Sequence, residues 1–222
     1  MTKKAPQGAA QETAQETGWV FIIDDDASLR ESLTDLFQSA GLQAKSFPSV
    51  VDYLQSEGVD GPSCLVLDVR LPGESGLDFQ SELAKSNNQA QIVFMTGHGD
   101  IPMSVRAMKG GAVDFLTKPF RDQEMLEAVS LALNRDRERR QSDKASSKLK
   151  SAFESLSQRE QQIMTLVTSG LMSKQIAAEI GVSEATVKFH RSNIMRKMGA
   201  NSLADLVKMA GALSVGRPTA AS

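Results

Sequence analysis

Two domains of different fold class are predicted: an α/β domain whose parallel sheet carries helices on both faces, then a small all-α domain built round a helix-turn-helix. Three observations carry this prediction. Between Trp19 and Leu133, short apolar runs alternate with amphipathic stretches of helical period, the pattern of consecutive βαβ units. Beyond that block, helix caps and a tight glycine turn replace the strand signals. Charge divides the chain in the same way, with 10 basic and 19 acidic residues up to Asn134, 7 and 4 from Arg135 to Ser155, and 8 and 4 from Leu156 onward. Such an asymmetry, hidden in a formal net charge of −2, points to different partners for the two ends, and a basic small domain suits a polyanion such as nucleic acid.

Strands are expected near 19–23, 43–47, 64–67, 91–95 and 113–116, and helices near 27–39, 49–56, 76–86 and 101–110. Asp100 ahead of Ile101-Pro102 is a good helix start, an N-cap acid followed by an early proline. A further helix follows from Arg121, with Met125, Leu126, Val129, Ala132 and Leu133 at helical spacing. From Arg135 to Lys148 the only apolar residue is Ala145, and basic and acidic residues interleave without Gly or Pro. A solvated helical linker over 135–155 is expected, continuing the preceding helix; a flexible coil is the alternative.

In the last block, Ser157-Gln-Arg-Glu160 is a capping box and opens a helix with Ile163, Leu166 and Val167 on one face, ending at Gly170. Ser173 is expected to cap a second helix, Lys174 to Ile180. Gly181-Val182 turns the chain, and Ser183 caps a third helix to about Met198. A fourth, from Ser202 to Leu213, spaces Leu203, Leu206, Val207, Ala210 and Leu213 three or four apart. On the third helix Glu184, Lys188, Arg191, Ser192 and Met195 share one face and Val187, Ile194 and Met198 the opposite one.

Composition excludes several classes. No apolar run approaches the roughly 20 residues that span a membrane. Residues 1–17 are polar and lack the apolar core of a secretory signal, so they are read as a disordered tail, and 216–222 as a second tail. A single cysteine, Cys64, rules out an internal disulfide and fits a reducing cytosol; its place in a strand pattern marks it as a core residue.

The strand ends carry the chemistry. The first strand runs into Asp24-Asp25-Asp26, the third into Asp68, the next into Thr96 and the last into Thr117-Lys118-Pro119. Parallel strands bring these carboxylates, hydroxyl and amine to one edge of the sheet. Carboxylates crowded there repel one another unless a cation joins them. Asp26 has two readings, as a further site acid or as the N-cap of the first helix.

Together, Asp24-Asp25, Asp68, Thr96 and Lys118-Pro119 resemble the receiver domain of two-component response regulators, a flavodoxin-like fold of five parallel strands. Leu156-Ser-Gln-Arg-Glu160, Lys174-Gln-Ile-Ala177, Thr186-Val-Lys-Phe-His-Arg191, Met195-Arg-Lys-Met198 and Ser202-Leu-Ala-Asp-Leu-Val207 resemble a LuxR-type DNA-binding domain. The pairing is that of the FixJ/NarL group. Thr96-Gly-His-Gly-Asp100 and Gly111-Ala-Val-Asp-Phe115 look closest to its FixJ and StyR-like branch. The likeness runs from about residue 19 to 213 and implies a receiver over 18–134 and a DNA-binding domain over 156–215.

For the receiver, the resemblance implies that Asp68 accepts a phosphoryl group from the phosphohistidine of a sensor histidine kinase. Mg2+ (or Mn2+) would be held by Asp25 and Asp68, by Asp24 through water, and by the backbone carbonyl of Arg70. Lys118 and Thr96 would bind phosphoryl oxygens, and the Lys118–Pro119 bond would be cis. Phe115 would turn inward with Thr96 as a switch, and Val105 and Lys109 would lie on a receiver dimer surface. His98 is read as a loop residue at the site entrance without a phosphoryl role. A phosphatase of the haloacid dehalogenase class, which also forms an aspartyl phosphate, carries its nucleophile and a second acid two residues apart on the first strand, followed by Gly-Thr; Asp68-Val-Arg has no second acid, and Asp24-Asp25-Asp26 is followed by Ala-Ser-Leu.

For the C-terminal domain, the resemblance assigns Lys188, Phe189 and Ser192 to base edges and Lys174, Arg191 and Arg196 to phosphates. Phe189 stands where valine is common; it could meet a thymine methyl or pack sideways. Lys197 has no clear side, and His190 packs or touches phosphate. The Ser202–Leu213 helix either dimerises or covers the core. The implied whole is a cytoplasmic regulator, not an enzyme beyond its own phosphotransfer and autodephosphorylation. It would dimerise on phosphorylation, bind promoter DNA and activate transcription through RNA polymerase.

Overall fold

In the computed structural model, residues 17–86, 88–97 and 100–213 are described. The chain splits into two units, Met1–Arg140 and Gln141–Ser222. The first contains, in order, β1 (Trp19–Ile23), α1 (Ala27–Ser39), β2 (Gln43–Phe47), α2 (Val50–Leu54), β3 (Ser63–Asp68), β4 (Arg70–Leu71), β5 (Glu74–Ser75), α3 (Gly76–Lys85), β6 (Gln91–Thr96), α4 (Ile101–Lys109) and β7 (Asp114–Thr117). The last helix that begins in this unit, α5, spans Asp122–Glu154. Nearly all of the expected tail at 1–17, all of the one at 216–222, and His98 fall outside the described residues.

β2, β1, β3, β6 and β7 form one parallel sheet in that order, so the strand order reverses beside β1 and β3. Successive side chains of a strand point to opposite faces, and both faces are covered. Val20, Ile22, Val66, Val93 and Met95 pack on one side with Leu33 and Phe37 of α1 and Met125 and Val129 of α5. Phe21, Ile23, Leu65, Leu67, Ile92 and Phe94 pack on the other with Leu77, Phe79 and Leu83 of α3 and Ala107 of α4. Burial on both faces is why these strands read as continuous apolar runs rather than alternating ones.

Three details differ from expectation. α2 is shorter than 49–56, because Ser49 is its N-cap and the helix already ends at Leu54, with Gln55 as C-cap. The β4–β5 pair, two residues each, was too short to leave a periodic signal. α5 is helical through the charged stretch, but that stretch is not wholly solvated. Asp136 is only 1% exposed; its carboxylate accepts from the Ser63 amide at 3.0 Å, Arg139 Nη2 at 2.7 Å and Arg140 Nε at 2.8 Å. Burial by itself raises the Asp136 carboxyl, but these donors outweigh it and hold the group below the ordinary range.

The second unit holds the end of α5 with α6 (Gln158–Thr168), α7 (Ser173–Ile180), α8 (Glu184–Met198) and α9 (Leu203–Ala212). Ile163, Met164 and Val167 of α6, Ile176 of α7, Val187, Ile194 and Met198 of α8, and Leu206 and Ala210 of α9 form its core, and Leu149 and Phe153 of α5 pack against it. The capping box of Ser157 and Glu160 is formed in both directions. Gly181, at φ 70°, is the left-handed C-cap that lets the chain turn tightly between α7 and α8. Ser183 caps α8 as expected, and Ser202, expected as the first residue of the last helix, is its N-cap. Ser173 does not cap α7: Met172 occupies the N-cap, and its amide donates to Gln175 Oε1 at 2.8 Å.

Candidate functional site

At the C-terminal edge of the sheet the strand ends meet. Asp24 follows β1, Asp68 ends β3, Thr96 ends β6, and Lys118 follows β7. Lys118 Nζ lies 2.6 Å from Asp24 Oδ2 and 2.6 Å from Asp68 Oδ2, joining residues 94 and 50 positions away in the chain. Asp24 and Thr96 are fully buried, Asp68 is 6% exposed, and Asp25 is exposed beside them. Asp24 Oδ1 accepts from the Asp26 amide at 2.8 Å, and Asp68 Oδ1 from the Arg70 amide at 2.8 Å. Asp26 turns away as the N-cap of α1, accepting from the amides of Ser28 and Leu29, which settles its two readings in favour of the cap.

The electrostatics follow from burial. Desolvation pushes the Asp24 carboxyl above its ordinary range, against the opposing pull of the Lys118 hydrogen bond and the Asp26 amide. Burial alone would lower the Lys118 ammonium, but its hydrogen bonds to Asp24 and Asp68 outweigh that and hold it protonated. Carboxylate oxygens of Asp24, Asp25 and Asp68 can all lie within 4.8 Å of one another. An all-oxygen donor set of this kind fits a hard divalent cation such as Mg2+ or Mn2+. Two of its three carboxylates already share one ammonium, so the site is built for positive charge.

Two supports escaped the sequence. Gly76, at the start of α3, has no room for a side chain: a Cβ there would run into the carbonyl oxygen of Asp68. Arg30 of α1 donates from Nη1 to the Asp24 carbonyl at 2.7 Å. A glycine at a helix start and an arginine in the first helix carry no local mark of such long-range roles. The Lys118–Pro119 bond is cis, and the Lys118 amide donates to the Thr96 carbonyl at 2.8 Å. Phe115, on β7, is half-buried, its ring centroid 6.4 Å from that of Phe94. On α4, Val105 and Lys109 are exposed, with Ile101 and Met108 also turned to solvent.

In the second unit, α8 exposes Glu184, Ala185, Lys188, Phe189, Ser192 and Arg196, a stripe at helical spacing. The expected face holds at Glu184, Lys188 and Ser192 but not at Arg191 and Met195. Met195 packs against the core instead. Arg191 is half-buried, and its Nη1 donates to Ser173 Oγ at 3.0 Å, the serine expected to cap α7. Lys197 is structural: Nζ lies 2.7 Å from Glu160 Oε2 and 3.3 Å from the Ser155 carbonyl. His190 is half-buried, its ring centroid 5.9 Å from that of Phe189. Lys174 is exposed on α7. On α9, Leu206 and Ala210 enter the core and Met209 packs against it, while Leu203 and Val207 stay exposed, so covering the core does not account for all of its apolar face.

A doubly wound parallel sheet with an acidic, lysine-bridged edge, joined in one chain to a helix-turn-helix, defines a receiver coupled to a DNA-binding output. Comparison with known proteins agrees. Residues 20–130 match the response regulator receiver domain and residues 154–210 the LuxR family of bacterial regulatory proteins. The chain is 59% identical to nodulation protein W of Bradyrhizobium diazoefficiens, over 88% of this chain and 86% of that protein. It is 42% identical to the transcriptional regulatory protein FixJ of Azorhizobium caulinodans, over 86% of this chain and 90% of that one. The solved structure of response regulator StyR superposes with a TM-score of 0.82 at 46% identity, covering 88% of this chain and 98% of that one. The chain belongs to the FixJ/NarL family of response regulators. It is a regulator of transcription rather than a conventional enzyme, and its two domain types imply a histidine kinase and promoter DNA as partners.

Proposed function

We propose that Asp68 is the phosphoacceptor of this receiver. The observation that carries the reading is the Lys118 ammonium held 2.6 Å from both Asp24 and Asp68 at the sheet edge. A carboxylate oxygen of Asp68 attacks the phosphorus of a kinase phosphohistidine; the P–O bond forms, the P–N bond breaks, and the imidazole leaves with the electron pair and takes a proton. Lys118 then meets one phosphoryl oxygen with its positive charge, and the Thr96 hydroxyl hydrogen-bonds another. Asp25, Asp68, the Arg70 carbonyl and, through water, Asp24 would hold Mg2+ or Mn2+, which when bound neutralises the crowded oxygens.

Signal transfer uses Thr96 and Phe115 as a two-state pair, and the α4 surface bearing Val105 and Lys109 as the dimer contact on phosphorylation. The helix-turn-helix then binds promoter DNA. Lys188, Phe189 and Ser192 face the bases, and Lys174, Arg191 and Arg196 the phosphates, Arg191 leaving Ser173 to do so. Activation through RNA polymerase follows by analogy with the family. Among the described residues no helix is long and apolar enough to cross a membrane, in keeping with action in the cytoplasm.

Phosphotransfer from acetyl phosphate or a cognate kinase, in the presence of Mg2+, tests the acceptor. Wild type should take up one acid-stable, base-labile phosphoryl group and Asp68→Asn none. Equal labelling of the Asn variant would refute the assignment. Sedimentation with and without beryllofluoride tests the dimer, and an unchanged monomer in both conditions would remove it from the account.

A further inference from the structure

We propose that Phe189 is a specificity-determining residue that reads the C5 methyl of a thymine in the major groove. The inference rests on the DNA-binding reading of α8 and adds to it a base identity. The other large apolar residues of α8 go to the core: Val187 and Ile194 are fully buried, Met198 is 5% exposed, and Met195 packs against them. Phe189 is 64% exposed, on the stripe of Ala185, Lys188, Ser192 and Arg196. Its ring lies 5.9 Å from that of His190 on the same helix, and it is not among the residues that pack on the core of the second unit. Leaving such a ring in water forgoes burial that an interior position would supply.

The surroundings narrow what covers it. Lys188 precedes it, Arg196 lies about two turns on, and Lys174 is exposed on α7. Glu184 offsets part of this charge through its 2.8 Å ion pair with Lys188, but the exposed stripe itself is cationic and suits a polyanion. A phenyl ring cannot bond phosphate, and it offers no donor or acceptor to a polar base edge. The apolar group that a major groove presents at base edges is the thymine methyl. Ser192, one turn further along, has a hydroxyl that can meet polar edges next to it.

The test uses the full chain with Mg2+ and beryllofluoride. Duplexes are first selected from a random pool, and each thymine of the selected site is then replaced singly by deoxyuridine, which removes only the methyl. Burying one methyl is worth about fourfold in affinity. We expect about that loss at one thymine per bound helix-turn-helix in wild type, abolished in Phe189→Ala and kept in part by Phe189→Leu. Circular dichroism identical to wild type checks that the variants fold. Selected duplexes that wild type binds with no dependence on any methyl would overturn the inference alone. So would an unchanged uridine penalty in Phe189→Ala, or a uniform affinity loss in that variant at every site, which would mark the ring as a wedge. Failure of wild type to retain any duplex would overturn the DNA reading and this inference with it.

Discussion

Replacing Lys118 with methionine keeps an unbranched chain and removes the ammonium that lies 2.6 Å from both Asp24 and Asp68. Carboxylate oxygens at a separation of 4.8 Å or less then face each other without it. At an effective dielectric of about 20, their repulsion is about 3.5 kcal/mol or more. Removing one partner of a buried pair typically costs about 3–5 kcal/mol. Two features moderate the loss: the Lys118 side chain is 23% exposed, and the Asp24 carboxyl, already raised by burial, can take up a proton. We expect the first unit to lose about 3 kcal/mol in EDTA, which for a domain of its size lowers Tm by roughly 10 °C. The chain has a single tryptophan, Trp19 on β1, so a fluorescence-detected melt reports on this unit. Mg2+ should restore more stability to the variant than to wild type, because the ion supplies the missing charge and binds the folded state preferentially. An EDTA melt equal to that of wild type, or an equal gain with Mg2+, would refute the view that Lys118 neutralises this edge.

Asp136→Ala should destabilise the first unit by about 2–3 kcal/mol, seen in the same melt, because it strips the Ser63 amide of its acceptor and takes from Arg139 and Arg140 the buried carboxylate they share. Gly76→Ala drives a methyl against the Asp68 carbonyl, so a loss of about 2 kcal/mol and slower phosphoryl uptake are expected together. The Lys197 hydrogen bond and the Ser157 amide hold the Glu160 carboxyl below its ordinary range of about 4.5. A carboxyl depressed in the folded state contributes stability fully above its unfolded pKa and loses it as pH falls through the folded value. The second unit should therefore weaken on acidification below about pH 4.5, and Glu160→Gln should be less stable at pH 7 with a flatter acid slope, measured by urea unfolding at each pH.

Much of the architecture was legible because it is written in local periods. Strands buried on both faces leave unbroken apolar runs, and helix starts such as Asp100, Ser157 and Ser183 announce themselves within three residues. Even the acidic edge could be foreseen, since parallel strands that end in Asp, Asp, Thr and Lys have to deliver them to the same side. Where the reading failed, the deciding partner lay elsewhere in the chain. Ser173 looks like a cap, yet its hydroxyl accepts from Arg191, 18 residues away. The linker looks solvated, yet Asp136 reaches the amide of Ser63 across 73 residues.

By itself, then, the sequence determined which segments are strands and helices, the order of the two domains, and which side chains gather at the sheet edge. Tertiary structure alone decided that Lys118 stands between Asp24 and Asp68, that Gly76 must have no side chain, and that Met195 packs against the core instead of sharing the exposed face of α8. Hydrogen-bond periodicity and amphipathic spacing act over a few residues and can be read in one dimension, whereas ion pairing, close approach and burial depend on distances set only when remote segments pack.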